Sequence, residues 1–163
     1  MSFRGRRDSL PEWLAWLERL HPREIDLGLE RVGAVAGRLG LIHSDVVTLT
    51  VAGTNGKGSS ASLAAQIYQN AGYRVGLYTS PHLMAYNERI RIDGQVVGDA
   101  EICIAFDKIE QQRGQTGLTY FEFGTLAALY LFRERGVELQ VLEVGLGGRL
   151  DAVNIIDPDI AVV

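Results

Sequence analysis

The segment from Val46 to Asn70 constrains this chain more than any other. Val46-Val47-Thr48-Leu49-Thr50-Val51-Ala52 is rich in β-branched residues and carries no charge. Such runs suit a strand covered on both faces, as in parallel sheets. It leads directly into Gly53-Thr54-Asn55-Gly56-Lys57-Gly58-Ser59, and Ser59 to Asn70 reads as a helix closed by Gly72. Three glycines within six positions let a backbone wrap closely, with its N–H groups turned toward an anion. The helix N-terminus adds partial positive charge and Lys57 a full one. The segment therefore reads as a phosphate cradle in which Gly53, Thr54, Asn55, Gly56, Lys57, Gly58 and Ser59 contact a nucleotide. The bland alternative is a strand-to-helix turn with a solvated lysine, and the flanking strand and helix argue against it.

The rest of the chain extends the same theme. Arg74 to Thr79 reads as a second strand, completing a βαβ unit with a right-handed crossover. Asn87 to Ile92 alternates with period two and meets Asp93-Gly94, a hairpin signal, before Gln95-Val96-Val97. It reads as a small solvated excursion off the main sheet. Ser9-Leu10-Pro11-Glu12 has capping-box spacing ahead of a helix carrying Trp13, Leu14 and Leu17, and a second helix is expected from about Gly28 to Leu39. Asp99 and Thr119 read as N-caps of helices running to about Arg113 and Glu134. Leu139 to Val144 and Ile160 to Val163 read as further buried strands. The expected fold class is α/β, a mostly parallel sheet flanked by helices.

Composition removes several function classes. With 16 basic and 20 acidic residues the net charge is −4, which leaves no dominant basic surface for nucleic acid. No apolar run approaches the ~18 residues of a membrane span, and the basic start Met1 to Arg7 lacks the hydrophobic stretch of a secretory signal. A lone cysteine, Cys103, fits a reducing, cytoplasmic setting and falls on an apolar helical face, a core position. The expected partners are small molecules, with neither nucleic acid nor membrane among them. Trp13 and Trp16 read as packing residues. His21 and His82 read as structural, and Asn87-Glu88-Arg89 as a solvated hairpin in preference to an aid to substrate binding.

The shorter glycine loop is similar to that of the Mur ligase superfamily. Within it the chain resembles the folylpolyglutamate synthase/dihydrofolate synthase family along nearly its whole length. Glu143-Val144-Gly145-Leu146-Gly147-Gly148-Arg149-Leu150-Asp151 is similar to the second signature of that family, and Thr79-Ser80-Pro81-His82-Leu83 to the motif after its second strand. Leu20-His21 with Ile25 to Arg31 resembles its pterin-contacting loop, and Thr119-Tyr120-Phe121-Glu122 adds a fourth point. The resemblance implies a Mur-ligase-type P-loop ATPase that uses ATP and Mg2+ to join L-glutamate to dihydropteroate or folate polyglutamates through an acyl phosphate. It makes Lys57 and Glu143 catalytic, Ser80 and Glu143 magnesium ligands, and Asp26, Leu27, Phe121, Gly148, Asp151 and Ala152 substrate contacts. Glu143 also stands at the carboxyl end of its strand, where open parallel sheets place their ligands. Val153 occupies a place where the family pattern leads one to expect a small hydroxyl residue.

The same resemblance divides the chain into a helical pterin-loop region over 1–45 and a P-loop α/β core over 46–163. Together they would form the N-terminal portion of the ATPase domain, cut before the sheet is complete and without the C-terminal glutamate-binding domain. Such a piece is expected to be inactive alone and prone to self-association, the full-length protein being a monomer. Two other readings compete: a non-catalytic nucleotide-binding module, and a Mur ligase acting on a peptidoglycan precursor.

Overall fold

The computed structural model describes residues 7–20, 26–42 and 45–163; His21 and Ile25 of the expected pterin loop lie outside them. Two helices come first, α1 (Leu10–Leu20) and α2 (Glu30–Arg38). The α/β alternation then begins with β1 (Val47–Val51), α3 (Lys57–Asn70) and β2 (Val75–Tyr78). A 3-10 turn (Tyr86–Arg89) precedes β3 (Ile90–Ile92) and β4 (Gln95–Val96). Next come α4 (Asp99–Arg113), α5 (Tyr120–Glu134) and β5 (Leu139–Glu143). A second 3-10 turn (Ala152–Ile155) leads into β6 (Ile160–Val162).

One six-stranded sheet runs in the order β4-β3-β2-β5-β1-β6. β2, β5, β1 and β6 are parallel, while β3 and β4 add an antiparallel edge. The hairpin is therefore a continuation of the main sheet rather than an excursion off it. Its first half also departs from expectation, because Asn87 to Arg89 form a 3-10 turn instead of strand. The cause is Glu88, whose carboxylate accepts the N–H groups of Leu83, Met84 and Ala85 and winds the chain there.

Period-two alternation along the strands divides the interior. Leu49, Val51, Val75, Leu77, Leu139 and Val141 face α3 and pack on its Ala61 and Ala65. Tyr78, Leu142 and Val144 face the other way, into the larger core that α1, α2, α4 and α5 build. There Trp13 meets Phe106 and Phe123 at centroid distances of 5.7 and 6.4 Å, and Trp16 meets Phe123 edge-on at 5.9 Å. Both tryptophans are packing residues, as expected. Cys103 is only half-buried at the rim of that core. Thr119 does cap α5, accepting from Glu122 N at 3.2 Å while the Glu122 carboxylate takes Thr119 N–H at 2.7 Å. Asp99 is instead the first residue of α4, and Gly98 is the cap. Val153 is fully buried in the larger core, so an apolar side chain suits its position.

Candidate nucleotide and acceptor site

Parallel register fixes the site. Val51 pairs with Glu143 and Tyr78 with Leu142, so β1, β5 and β2 end level with one another. The glycine loop leaves β1, Glu143 ends β5, and Ser80 follows β2 by two residues. Open parallel sheets bind ligands at this edge.

The loop opens on Gly53 at φ 135° and closes on Gly56 at φ 77°. Gly56 is the N-cap of α3, so the helix starts at Lys57, two residues earlier than Ser59. A positive φ suits glycine and few other residues. Thr54, Asn55, Ser59 and Ser60 are exposed, and Lys57 and Gly58 are half-buried. The Lys57 chain folds back over Gly53, whose Cβ position lies 3.8 Å from Lys57 Cγ.

Glu143 is buried, and its Oε2 accepts Ser80 N–H at 2.9 Å. A Cβ on Gly58 would stand 3.5 Å from Glu143 Oε1. The first turn of α3, the tip of β5 and the turn after β2 thus converge on one carboxylate. Among the described residues no three His, Cys, Asp or Glu side chains cluster as a metal cage. One carboxylate and one hydroxyl still fit a magnesium ion, which keeps several waters and shares phosphate oxygens.

On the far side of Ser80 lies a cavity of about 780 Å3. Its wall includes Asp26, Leu27, Phe121, Asp151 and Ala152, five of the six expected substrate contacts, together with Ser80. Gly148 is not in that wall. Its carbonyl accepts Asp151 N–H at 2.9 Å and Asn154 Nδ2 at 2.7 Å, which shapes the loop behind. Asp151 is buried, with its carboxylate accepting the N–H groups of Gly145, Leu146 and Val153. Desolvation nonetheless pushes its pKa above the usual carboxylate value, the three hydrogen bonds opposing that rise. Gly145 lets this loop pass the Phe121 ring and Ser80 Oγ, which stand 2.6 and 3.2 Å from where its Cβ would be.

The Asp26 loop is anchored to α5 through Arg31. That guanidinium pairs with Asp26 Oδ2 at 2.9 Å and Glu122 Oε1 at 3.0 Å, and donates to the Asp26 carbonyl. Glu122 therefore caps α5 and holds the cavity wall together.

One wall residue departs from its sequence reading. Arg89, assigned to a solvated hairpin, lines the cavity, as does His82. Arg89 Nε donates to His82 Nδ1 at 2.8 Å. Burial, and next the nearby guanidinium, lower the His82 pKa below the usual imidazole value. The period-two pattern hid this pair, and only Glu88 standing three residues after Ala85 signals the turn that brings Arg89 inward.

A mostly parallel sheet with a glycine-loop phosphate cradle beside an acidic strand tip is the architecture of a Mur-ligase-type P-loop ATPase. The chain is 53% identical over 154 residues to the dihydrofolate synthase/folylpolyglutamate synthase of Escherichia coli (strain K12), covering 94% of this chain and 36% of that protein. The Haemophilus influenzae protein of the same name is 49% identical over 94% of this chain and 35% of its own length. Among solved structures, E. coli FolC in complex with DHPP and ADP superposes at a TM-score of 0.90 with 50% identity, over 96% of this chain and 38% of that one. The Yersinia pestis bifunctional folylpolyglutamate synthase/dihydrofolate synthase complexed with AMPPNP and Mn ion gives 0.88 and 51%, over 98% and 39%. No family model matches the sequence. Along nearly its whole length the chain is homologous to the N-terminal part of dihydrofolate synthase/folylpolyglutamate synthases. It spans somewhat more than a third of the length of these relatives.

Proposed function

We propose that this chain carries the nucleotide and acceptor sites of an ATP-dependent ligase that joins L-glutamate to dihydropteroate, folate polyglutamates or both. A carboxylate does not react with an amine directly, because oxide is a poor leaving group. Passing the γ-phosphoryl group of ATP to it gives an acyl phosphate; glutamate nitrogen then attacks the acyl carbon and phosphate departs. In-line transfer requires positioning and neutralisation of charge more than covalent chemistry.

In this reading the N–H groups of Gly53 to Ser59 hold the phosphates and the Lys57 ammonium neutralises them. Glu143 and the Ser80 hydroxyl present oxygens for magnesium, which when bound offsets the negative charge between the phosphates. Asp26, Leu27, Phe121, Asp151 and Ala152 hold the pterin, with Phe121 offering a ring face. Gly148 acts by shaping the loop. The domain division, 1–45 for the acceptor loop and 46–163 for the ATPase core, is part of the same proposal. The observation that carries it is the position of Ser80, which touches Glu143 and also lines the cavity.

Calorimetric titration of this chain tests the reading. ATP with magnesium should bind, Lys57→Ala should abolish that binding, and dihydropteroate should still bind the variant. Binding of ATP without any binding of dihydropteroate would instead favour a plain nucleotide-binding module. Glutamate-dependent phosphate release by this chain alone is expected to be negligible, because a reactive acyl phosphate needs water excluded and the loop over α3 is exposed.

A further inference from the structure

We propose that Arg89 binds the carboxylate of the acceptor, with His82 orienting its guanidinium; this rests on the acceptor-cavity reading above. The backbone carbonyl of Arg89 accepts Thr79 N–H at 2.9 Å. Arg89 therefore stands beside the tip of β2, next to Ser80, at the end of the cavity where phosphoryl transfer would occur. Its guanidinium carbon lies 5.5 Å from the ring centre of Tyr86 and 5.7 Å from that of Tyr120. These rings and the bond to His82 hold it in place.

What sets Arg89 apart is what it lacks. The guanidinium that anchors the Asp26 loop is committed, Arg31 pairing with Asp26 and Glu122. Among the described residues no carboxylate pairs with Arg89, whose guanidinium donates its one hydrogen bond through Nε. A guanidinium has five donor hydrogens in a planar fork, so the two terminal nitrogens remain for a ligand. Arg in that state, fixed against aromatic rings on the wall of a concave pocket, suits bidentate recognition of a carboxylate. His82 helps only as a neutral imidazole, since Nδ1 must keep its lone pair to accept from Nε.

Because the competing role is simple packing on Tyr86 and Tyr120, the test must separate charge recognition from fold. Dihydropteroate and its carboxamide analogue would be titrated into the wild-type chain, Arg89→Gln and Arg89→Lys. Wild type should prefer the carboxylate by about tenfold to a hundredfold, the range of a charged hydrogen bond. Arg89→Gln should lose that preference while binding the carboxamide as before, and Arg89→Lys should recover part of it. Equal affinities of wild type for the two probes would overturn the proposal whatever the variants do, and so would a loss in Arg89→Gln shared by both probes. If wild type binds neither probe, the acceptor-cavity reading itself fails, and this proposal with it.

Discussion

Gly145 and His82 show how single atoms set the shape and charge of the cavity. A methyl on Gly145 would meet the Phe121 ring at 2.6 Å, well inside contact distance. The ring must then move, and overpacking of that kind costs about 1–3 kcal/mol. Gly145→Ala should therefore lower the urea midpoint and weaken dihydropteroate binding together, whereas Gly148→Ala, with nothing within 4 Å of its Cβ, should change neither by much. His82 supplies a pH readout. Its folded pKa lies below the ordinary 6.5, chiefly through desolvation and then through Arg89. The folded state thus binds its proton less readily than the unfolded state, so the His82 contribution is present above pH 6.5 and is lost as pH falls through the folded value. An NMR titration of the His82 ring should give a midpoint below 6.5. Arg89→Gln should move it upward without restoring it fully, because desolvation remains; no movement would mean that the two side chains do not share a hydrogen bond in solution.

At the level of elements, α5 depends on two residues that do unequal work. Thr119 supplies one cap bond, and Thr119→Ala should cost about 1 kcal/mol. Glu122 supplies the reciprocal bond and also receives Arg31 while itself only 3% exposed. Glu122→Ala leaves the Arg31 charge without its buried partner, for which about 3 kcal/mol is expected, and it should loosen the Asp26 loop as well. Denaturant unfolding of both variants checks the ratio. Glu122→Gln, which can still cap, should fall between them. The sequence carried the cap plainly, because Thr119 and Glu122 are neighbours on one helical turn. The ion pair to Arg31 spans 91 positions, and no local pattern reports a contact of that range. The same division runs through the site. A role for Gly53 to Ser59 could be proposed from sequence because a glycine turn between a strand and a helix is a local backbone feature with its own residue code. Asp26, Phe121 and Asp151 come from three distant elements and were linked only through a family resemblance. Arg89 was placed on a solvated hairpin because alternation over six residues imitates a strand, while the Glu88 carboxylate gathers the N–H groups of Leu83, Met84 and Ala85 and makes a turn.

For the whole molecule, the sheet ends on two margins, the two-residue strand β4 and the strand β6. At one side β3 and β4 form a hairpin next to β2, and α4 follows directly through Gly98. At the other, β6 pairs with β1 along one edge only. Ile160 and Val162 there are each 43% exposed, and β6 carries no charged residue to discourage pairing. An unpaired apolar edge of that kind templates a strand from another molecule. Sedimentation of this chain should accordingly show mass rising with concentration. Ile160→Lys, placing a charge on the margin, should return it to a monomer while leaving ATP binding unchanged, since Ile160 pairs with Leu49, four residues before the glycine loop begins. Association that persists in Ile160→Lys would move attention to α3, where Leu63 and Ile67 are each 58% exposed one turn apart. Pairing through that helix would instead be suppressed by Leu63→Glu, and salt would distinguish neither, because both surfaces are apolar and burial of apolar area drives each contact.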